Sequence, residues 1–203
     1  MERAPLQTAG KSAIIRQAMG KTFKATPPLT AAEVSEYRAG DVVMLTGTIY
    51  TARDAAHKLI VKMIEDGKEL PFELEGAVIY YVGPTPAKPG RAIGSAGPTT
   101  SYRMDPYAPL LTESGVRMTI GKGARGEEVR SALKEGKAVY CAAIGGAAAL
   151  ISQQITAAEV IAFEELGAEA VRRLTVEEFP VVVVNDVEGN DLFEKGMSEY
   201  RQL

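Results

Sequence analysis

The residues best suited to chemistry sit in three short segments that combine cations, hydroxyls and glycines. The first is Gly97–Asp105, GPTTSYRMD. Gly97 and Pro98 fix a turn, Thr99 and Thr100 offer two hydroxyls beside backbone N–H groups, and Arg103 lies four residues after Thr99. Such a loop can grip a carboxylate through the guanidinium while a threonine reaches the reacting carbon. The same residues also fit an ordinary turn in which the threonines cap a helix running into Tyr102, Arg103 and Met104. Composition leaves both readings open.

The second segment is Thr51–His57, TARDAAH, at a strand-to-helix junction. Arg53 and His57 are four apart and share a helix face near its N-terminus. A cation there opposes the macrodipole, so Arg53 suits a site that holds an anion, where dipole and guanidinium act together. The alternative is an Arg53 paired with a surface carboxylate and a His57 packed against a sheet. The third segment is Gly121-Lys122-Gly123. Its glycines allow close approach of backbone to a ligand, and its lysine can neutralise an anionic group or stand exposed on a turn. It lacks the spacing of a Walker loop, and Gly145–Leu150, GGAAAL, holds no G-x-G-x-x-G pattern. Asp186, Asn190 and Asp191 either hold a cation or close the turn after the last strand.

The inventory of metal ligands is thin. Cys141 and His57 are the sole cysteine and histidine among 203 residues, so neither an internal disulfide nor a conventional Cys/His metal site can be built from this chain. Cys141 lies in an apolar stretch and reads as an inert buried thiol. A net charge of −3 with a pI near 5.4 gives no electrostatic case for nucleic acid. The longest apolar runs, such as Ala142–Ile151, are too short and too rich in Gly and Ala to span a bilayer. No apolar leader core follows the start, and the expected location is cytoplasmic.

These segments need a scaffold. Hydrophobic residues at 46% and charged residues at 24% suit a globular domain. Residues 1–27 carry five basic residues against Glu2 alone and read as a basic N-terminal extension, leaving residues 28–203 as one domain. Thr30 and Glu33 have capping-box spacing. Strands are expected at Asp41–Tyr50, Gly76–Val82, Arg117–Ile120, Ala138–Ile144 and Pro180–Asp186, which are rich in β-branched and apolar residues. Between them, a helix capped by Thr51, with Asp54 as its acidic partner, presents Ala55, Ala56, Leu59, Ile60 and Met63 and stops at Gly67. Leu110–Ser114 and Glu127–Lys134 are also helical. This alternation favours an α/β layered domain with a largely parallel sheet.

Taken in order, TGTIYTARDAAHK, GPTTSYRMD, the IGKG at Ile120–Gly123, GGAAAL and FPVVVVNDVEGNDLF resemble the β subunit of iron–sulfur hydro-lyases, the class I fumarase and L-tartrate dehydratase family. The resemblance runs from Pro28 to Phe193. It implies a swivelling β/β/α three-layer domain with a largely parallel central sheet. It also implies a partner: a separate α subunit whose cysteines hold a [4Fe–4S] cluster, in a higher-order heteromer, with no cluster ligand and no metal site on this chain. The implied reaction is reversible addition of water to fumarate, giving L-malate. Arg53, Arg103 and Lys122 match positions that hold substrate carboxylates. Thr99 matches the candidate base, which would need activation by a carboxylate on the α subunit. Asp54, His57 and Thr100 match supporting positions. The variants RDAAH and GNDLF resemble the fumarase side of the family; the alternatives are an L-tartrate dehydratase β subunit and a non-catalytic dicarboxylate-binding or assembly module.

Overall fold

The computed structural model describes residues 20–143 and 151–200. Seven strands form one sheet: β1 (Thr22–Ala25), β2 (Val42–Thr51), β3 (Val78–Tyr80), β4 (Met118–Gly121), β5 (Val139–Ala142), β6 (Ile155–Ala162) and β7 (Val171–Asn185). Strands β2, β3, β4 and β5 run parallel to one another in that order, and β7 lies antiparallel to both β5 and β2. The β2–β7 pairing closes the ring.

The fold is therefore a closed five-stranded mixed barrel, and the expected three-layer arrangement around a largely parallel sheet does not form. The cause is β7. Its 15 residues pair with β2 from Val42↔Val182 to Thr51↔Arg172 along one edge. Along the other edge β7 pairs first with β6 and then with β5. Pro180 sits where β7 changes partner, between Val176 opposite β6 and Val182 opposite β5, so its missing N–H leaves no gap in either ladder. Strand β1 adds parallel to β2 and falls inside the stretch expected to be an extension.

Alternation along each strand divides the core. Val78, Tyr80, Met118, Ile120, Val139, Cys141, Val181 and Val183 fill the barrel, where the Tyr80 and Phe179 rings meet edge to face at 5.4 Å. Ile79 and Tyr81 point outward onto helices α2 (Asp54–Glu65) and α3 (Ala108–Glu113). Tyr140 and Val184 point onto α4 (Glu127–Glu135). Each buried Val, Leu or Ile contributes roughly 1.5–3 kcal/mol, so this two-sided burial fixes strand register firmly.

Local signals are realised unevenly. The Thr30–Glu33 capping box forms at the start of the short helix α1 (Ala31–Val34), with both reciprocal bonds present. Helix α2 ends as expected, with Gly67 at φ 63°. Thr51 does not cap it. That residue ends β2, and its hydroxyl donates to the Ala170 carbonyl and accepts from Arg172 N–H, which ties β2 to β7. A final helix, α5 (Leu192–Tyr200), follows the Asp186 turn. The GGAAAL segment lies outside the described residues.

Candidate functional site at the strand ends

The expected site residues gather at the carboxyl ends of the parallel strands, the place where α/β sheets commonly bind ligands. Arg53 and Asp54 follow β2, and Lys122 follows β4. Between them, GPTT threads past the ends of β3 and β4 and pairs with both. Thr99 N–H donates to the Tyr81 carbonyl at 2.7 Å, Lys122 N–H donates to the Thr99 carbonyl at 3.2 Å, and Ser101 N–H donates to the Lys122 carbonyl at 2.8 Å. Thr99, Thr100 and Lys122 thus share one small patch of paired backbone. The threonine cap does not form, since residues Ser101–Met104 make a single 3-10 turn with no side-chain bond from Thr100. The half-buried Thr99 hydroxyl has no hydrogen-bond partner among the described residues.

Glycine is required at position 121. A Cβ there would overlap the Ser101 hydroxyl, so Gly121 lets the two segments touch. At Gly123 the backbone turns through φ 82° and leaves Lys122 exposed.

Arg53 and Arg103 are already neutralised in part. Arg53 Nη2 stands 3.3 Å from Glu169, whose other oxygen accepts from Ala55 N–H at 3.1 Å. A carboxylate therefore occupies the N-terminus of α2, as the dipole favours, but it comes from the chain itself. The Arg53 side chain remains 20% exposed. Its Nε is buried without a partner, and a Cβ at Gly83 would come within 2.5 Å of Nη1. Arg103 pairs through Nε with Asp54 at 2.8 Å, which leaves its two terminal nitrogens without a partner among the described residues. Lys122 forms no ion pair among the described residues. Three cations thus face two carboxylates, and the local charge is positive.

His57 is fully buried beneath this rim, with its ring 5.3 Å from that of Tyr81 and 5.9 Å from that of Tyr107. Its Nδ1 lies 2.9 Å from the Arg53 carbonyl, which only accepts, so Nδ1 carries the proton and Nε2 is bare and unpartnered. Burial pushes its pKa down to about 4 against the opposing bond to Arg53, and Arg125 adds to the depression. His57 is a neutral prop for the Arg53 backbone and does not reach the open face.

Two participants were not legible beforehand. Glu169 lies in a stretch without a recognisable element, and Arg125 follows the glycine turn as an unremarkable charge. Buried Tyr81 and Tyr140 support the same region from their outward-facing strand positions. The donors present do not suit an iron–sulfur cluster: Cys141 is enclosed in the barrel, where burial raises its thiol pKa, and no group of three His, Cys, Asp or Glu side chains converges among the described residues. The Asp186 carboxylate is consumed by the turn, accepting from Glu188 N–H, Asn190 N–H, Asn190 Nδ2 and Ala39 N–H.

The family described as Fumarase C-terminus matches residues 4–196. The chain belongs to it. Among relatives of this fumarase C-terminal family, the chain is 41% identical over 168 residues to "Fumarate hydratase 2" of Leishmania major, covering 82% of this chain and 30% of the relative. It is 38% identical over 192 residues to "Fumarate hydratase class I, anaerobic" of Escherichia coli, covering 94% and 34% respectively. The chain therefore spans about a third of the length of these fumarate hydratases. A "Putative L(+)-tartrate dehydratase subunit beta" of Methanocaldococcus jannaschii is 38% identical over 173 residues, with 82% of this chain and 89% of that protein covered. No helix among the described residues is long and apolar enough to cross a membrane.

Proposed function

We propose that this chain is the β subunit of a two-subunit hydro-lyase that reversibly hydrates fumarate to L-malate. The observation that carries the reading is the backbone pairing of the Thr99 and Lys122 segments, with the Thr99 hydroxyl unpartnered among the described residues and Arg103 in the turn that follows. Arg103 offers its terminal nitrogens as a fork to one substrate carboxylate, with Asp54 holding the Nε edge. Lys122 takes the other carboxylate, and Arg53 contributes positive potential from behind the rim. Thr99 exchanges the proton on the carbon next to the hydroxyl-bearing one. A threonine hydroxyl is a weak base, so a carboxylate from a partner activates it. The cluster of such an enzyme, a [4Fe–4S] centre, belongs to a cysteine-bearing α subunit and supplies Lewis acidity there.

Two features support the two-chain arrangement: the sequence holds a single cysteine, and the chain covers 89% of a relative named as a separate β subunit. That relative also favours a second substrate reading, L-tartrate. Co-purification with the cysteine-bearing partner, then anaerobic assay with fumarate, L-malate and L-tartrate, tests both. Turnover of fumarate and L-malate is expected. Turnover of L-tartrate alone would replace the substrate, and a complex without hydratase activity would leave a binding or assembly module.

A further inference from the structure

We propose that Arg125 is a positioning residue that sets the Thr99–Arg103 loop against Lys122, an inference that rests on the functional reading of those three residues. Arg125 is 5% exposed and lies just beyond the glycine turn that carries Lys122. Its Nε donates to Asp105 Oδ1 at 2.7 Å, and Gly126 N–H donates to Asp105 Oδ2 at 2.8 Å. Both oxygens of the last loop residue are therefore held by the segment that follows Lys122. Arg125 Nη1 reaches the Tyr81 hydroxyl at 3.3 Å, and the guanidinium lies 5.3 Å from the Tyr81 ring and 5.0 Å from the Tyr140 ring. The Tyr140 hydroxyl donates to the Gly123 carbonyl at 2.7 Å and accepts from Ser101 Oγ at 2.9 Å. One buried unit thus grips the loop at Ser101 and Asp105 and the lysine turn at Gly123 and Gly126.

Stability alone is a poor reason for this arginine. Its Nη2 is buried without a partner among the described residues, and apolar side chains in place of both Arg125 and Asp105 would fill the space without that desolvation penalty. What arginine adds is direction: a planar fork between two rings that addresses Asp105 and Tyr81 at once. The fork reinforces the backbone bonds that join Thr99, Ser101 and Lys122, and no hydrogen bond links the Thr99, Arg103 and Lys122 side chains among the described residues.

Arg125→Lys and Asp105→Asn test the inference in the full chain and in the complex with its partner. Amide exchange at Ser101 and Lys122, the two N–H groups that join the segments, is expected to accelerate about tenfold or more while amides of the β2–β7 pairing keep wild-type rates. In the complex, kcat/KM is expected to fall by about tenfold, from misplacement at unchanged folded content. Unchanged exchange at both amides would overturn the proposal, as would acceleration spread evenly through the barrel, or wild-type turnover despite loosened loops. If Arg125→Lys does not fold, Asp105→Asn, which keeps the side-chain shape, carries the same measurements. Loosened loops in a protein whose wild-type complex has no hydratase activity would support the Arg125 grip and remove the functional reading instead.

Discussion

Asp54 stands 2.8 Å from Arg103 Nε and so joins the helix after β2 to the loop between β3 and β4. The two residues are 49 positions apart, and each adjoins a segment expected to bind an anion. Their pairing turns Arg103 so that one edge is satisfied internally and the terminal nitrogens remain for a ligand. Asp54 Oδ2 is buried and accepts no hydrogen bond among the described residues, so the pair with Arg103 is the carboxylate's one polar side-chain contact among them.

Removing the guanidinium should therefore cost more than removing its support. Arg103→Met is expected to lower kcat/KM of the reconstituted complex about tenfold or more, from loss of a charge-assisted contact, with folding unaffected because a partly exposed pair contributes only about 0–1 kcal/mol. Asp54→Asn should have a smaller effect. The double variant should be no worse than Arg103→Met, and fully additive losses would show that Asp54 acts elsewhere.

Gly83 gives a test of Arg53 that leaves the arginine in place. A methyl at position 83 would lie 2.5 Å from Arg53 Nη1 and 3.3 Å from the Ala168 carbonyl. The flexible guanidinium yields first, losing its approach to Glu169. Gly83→Ala should thus depress kcat/KM by about tenfold, as expected for a misplaced charged group, with a modest change in Tm. Wild-type kinetics in Gly83→Ala would show that Arg53 placement is immaterial.

How far the molecule could be read in advance depended on whether the signal was local. The Thr30–Glu33 box, the β2–α2 junction and the stop at Gly67 are set by neighbours in the chain, and they were legible; the mutual placement of the threonine and lysine segments is set by long-range backbone pairing. The closure of the barrel was not legible. The end of β6 and the start of β7 lie in AAEVIAFEELGAEAVRRL, where Ala, Glu and Leu favour helix by intrinsic propensity, and pairing of β7 with β2 and of β6 with β7 makes them strands. Thr51 looked like a cap because its type and spacing suit one; cross-strand bonding to Ala170 and Arg172 decided otherwise. Glu169 and Arg125 depend on the same long-range geometry, so their part in the site follows from the fold and not from any motif.

The cross-strand role of Thr51 has a measurable consequence. Thr51 is fully buried, and Thr51→Val keeps the shape while leaving Arg172 N–H without its acceptor. The variant should unfold with a free energy about 1–3 kcal/mol lower in chemical denaturation, the penalty for an unsatisfied buried donor. A change well below that range would mean that solvent reaches the β2–β7 seam.

His57 should make the fold acid-sensitive before most carboxylates titrate. Its pKa falls from the ordinary 6.5 to about 4 in the folded protein because burial disfavours the cation, with Arg125 adding to the effect while Asp54 and the Arg53 carbonyl oppose it. Between those values the unfolded chain binds the proton and the folded chain does not, so stability is complete above pH 6.5 and is lost as pH falls toward 4. The loss amounts to about 3 kcal/mol over that window. Denaturation of the wild type and of His57→Gln, which retains a donor for the Arg53 carbonyl, should give curves whose difference narrows by that amount from pH 7 to about pH 4. Parallel curves would show that His57 titrates freely in the folded state, and with it that the floor beneath Arg53 is open to water.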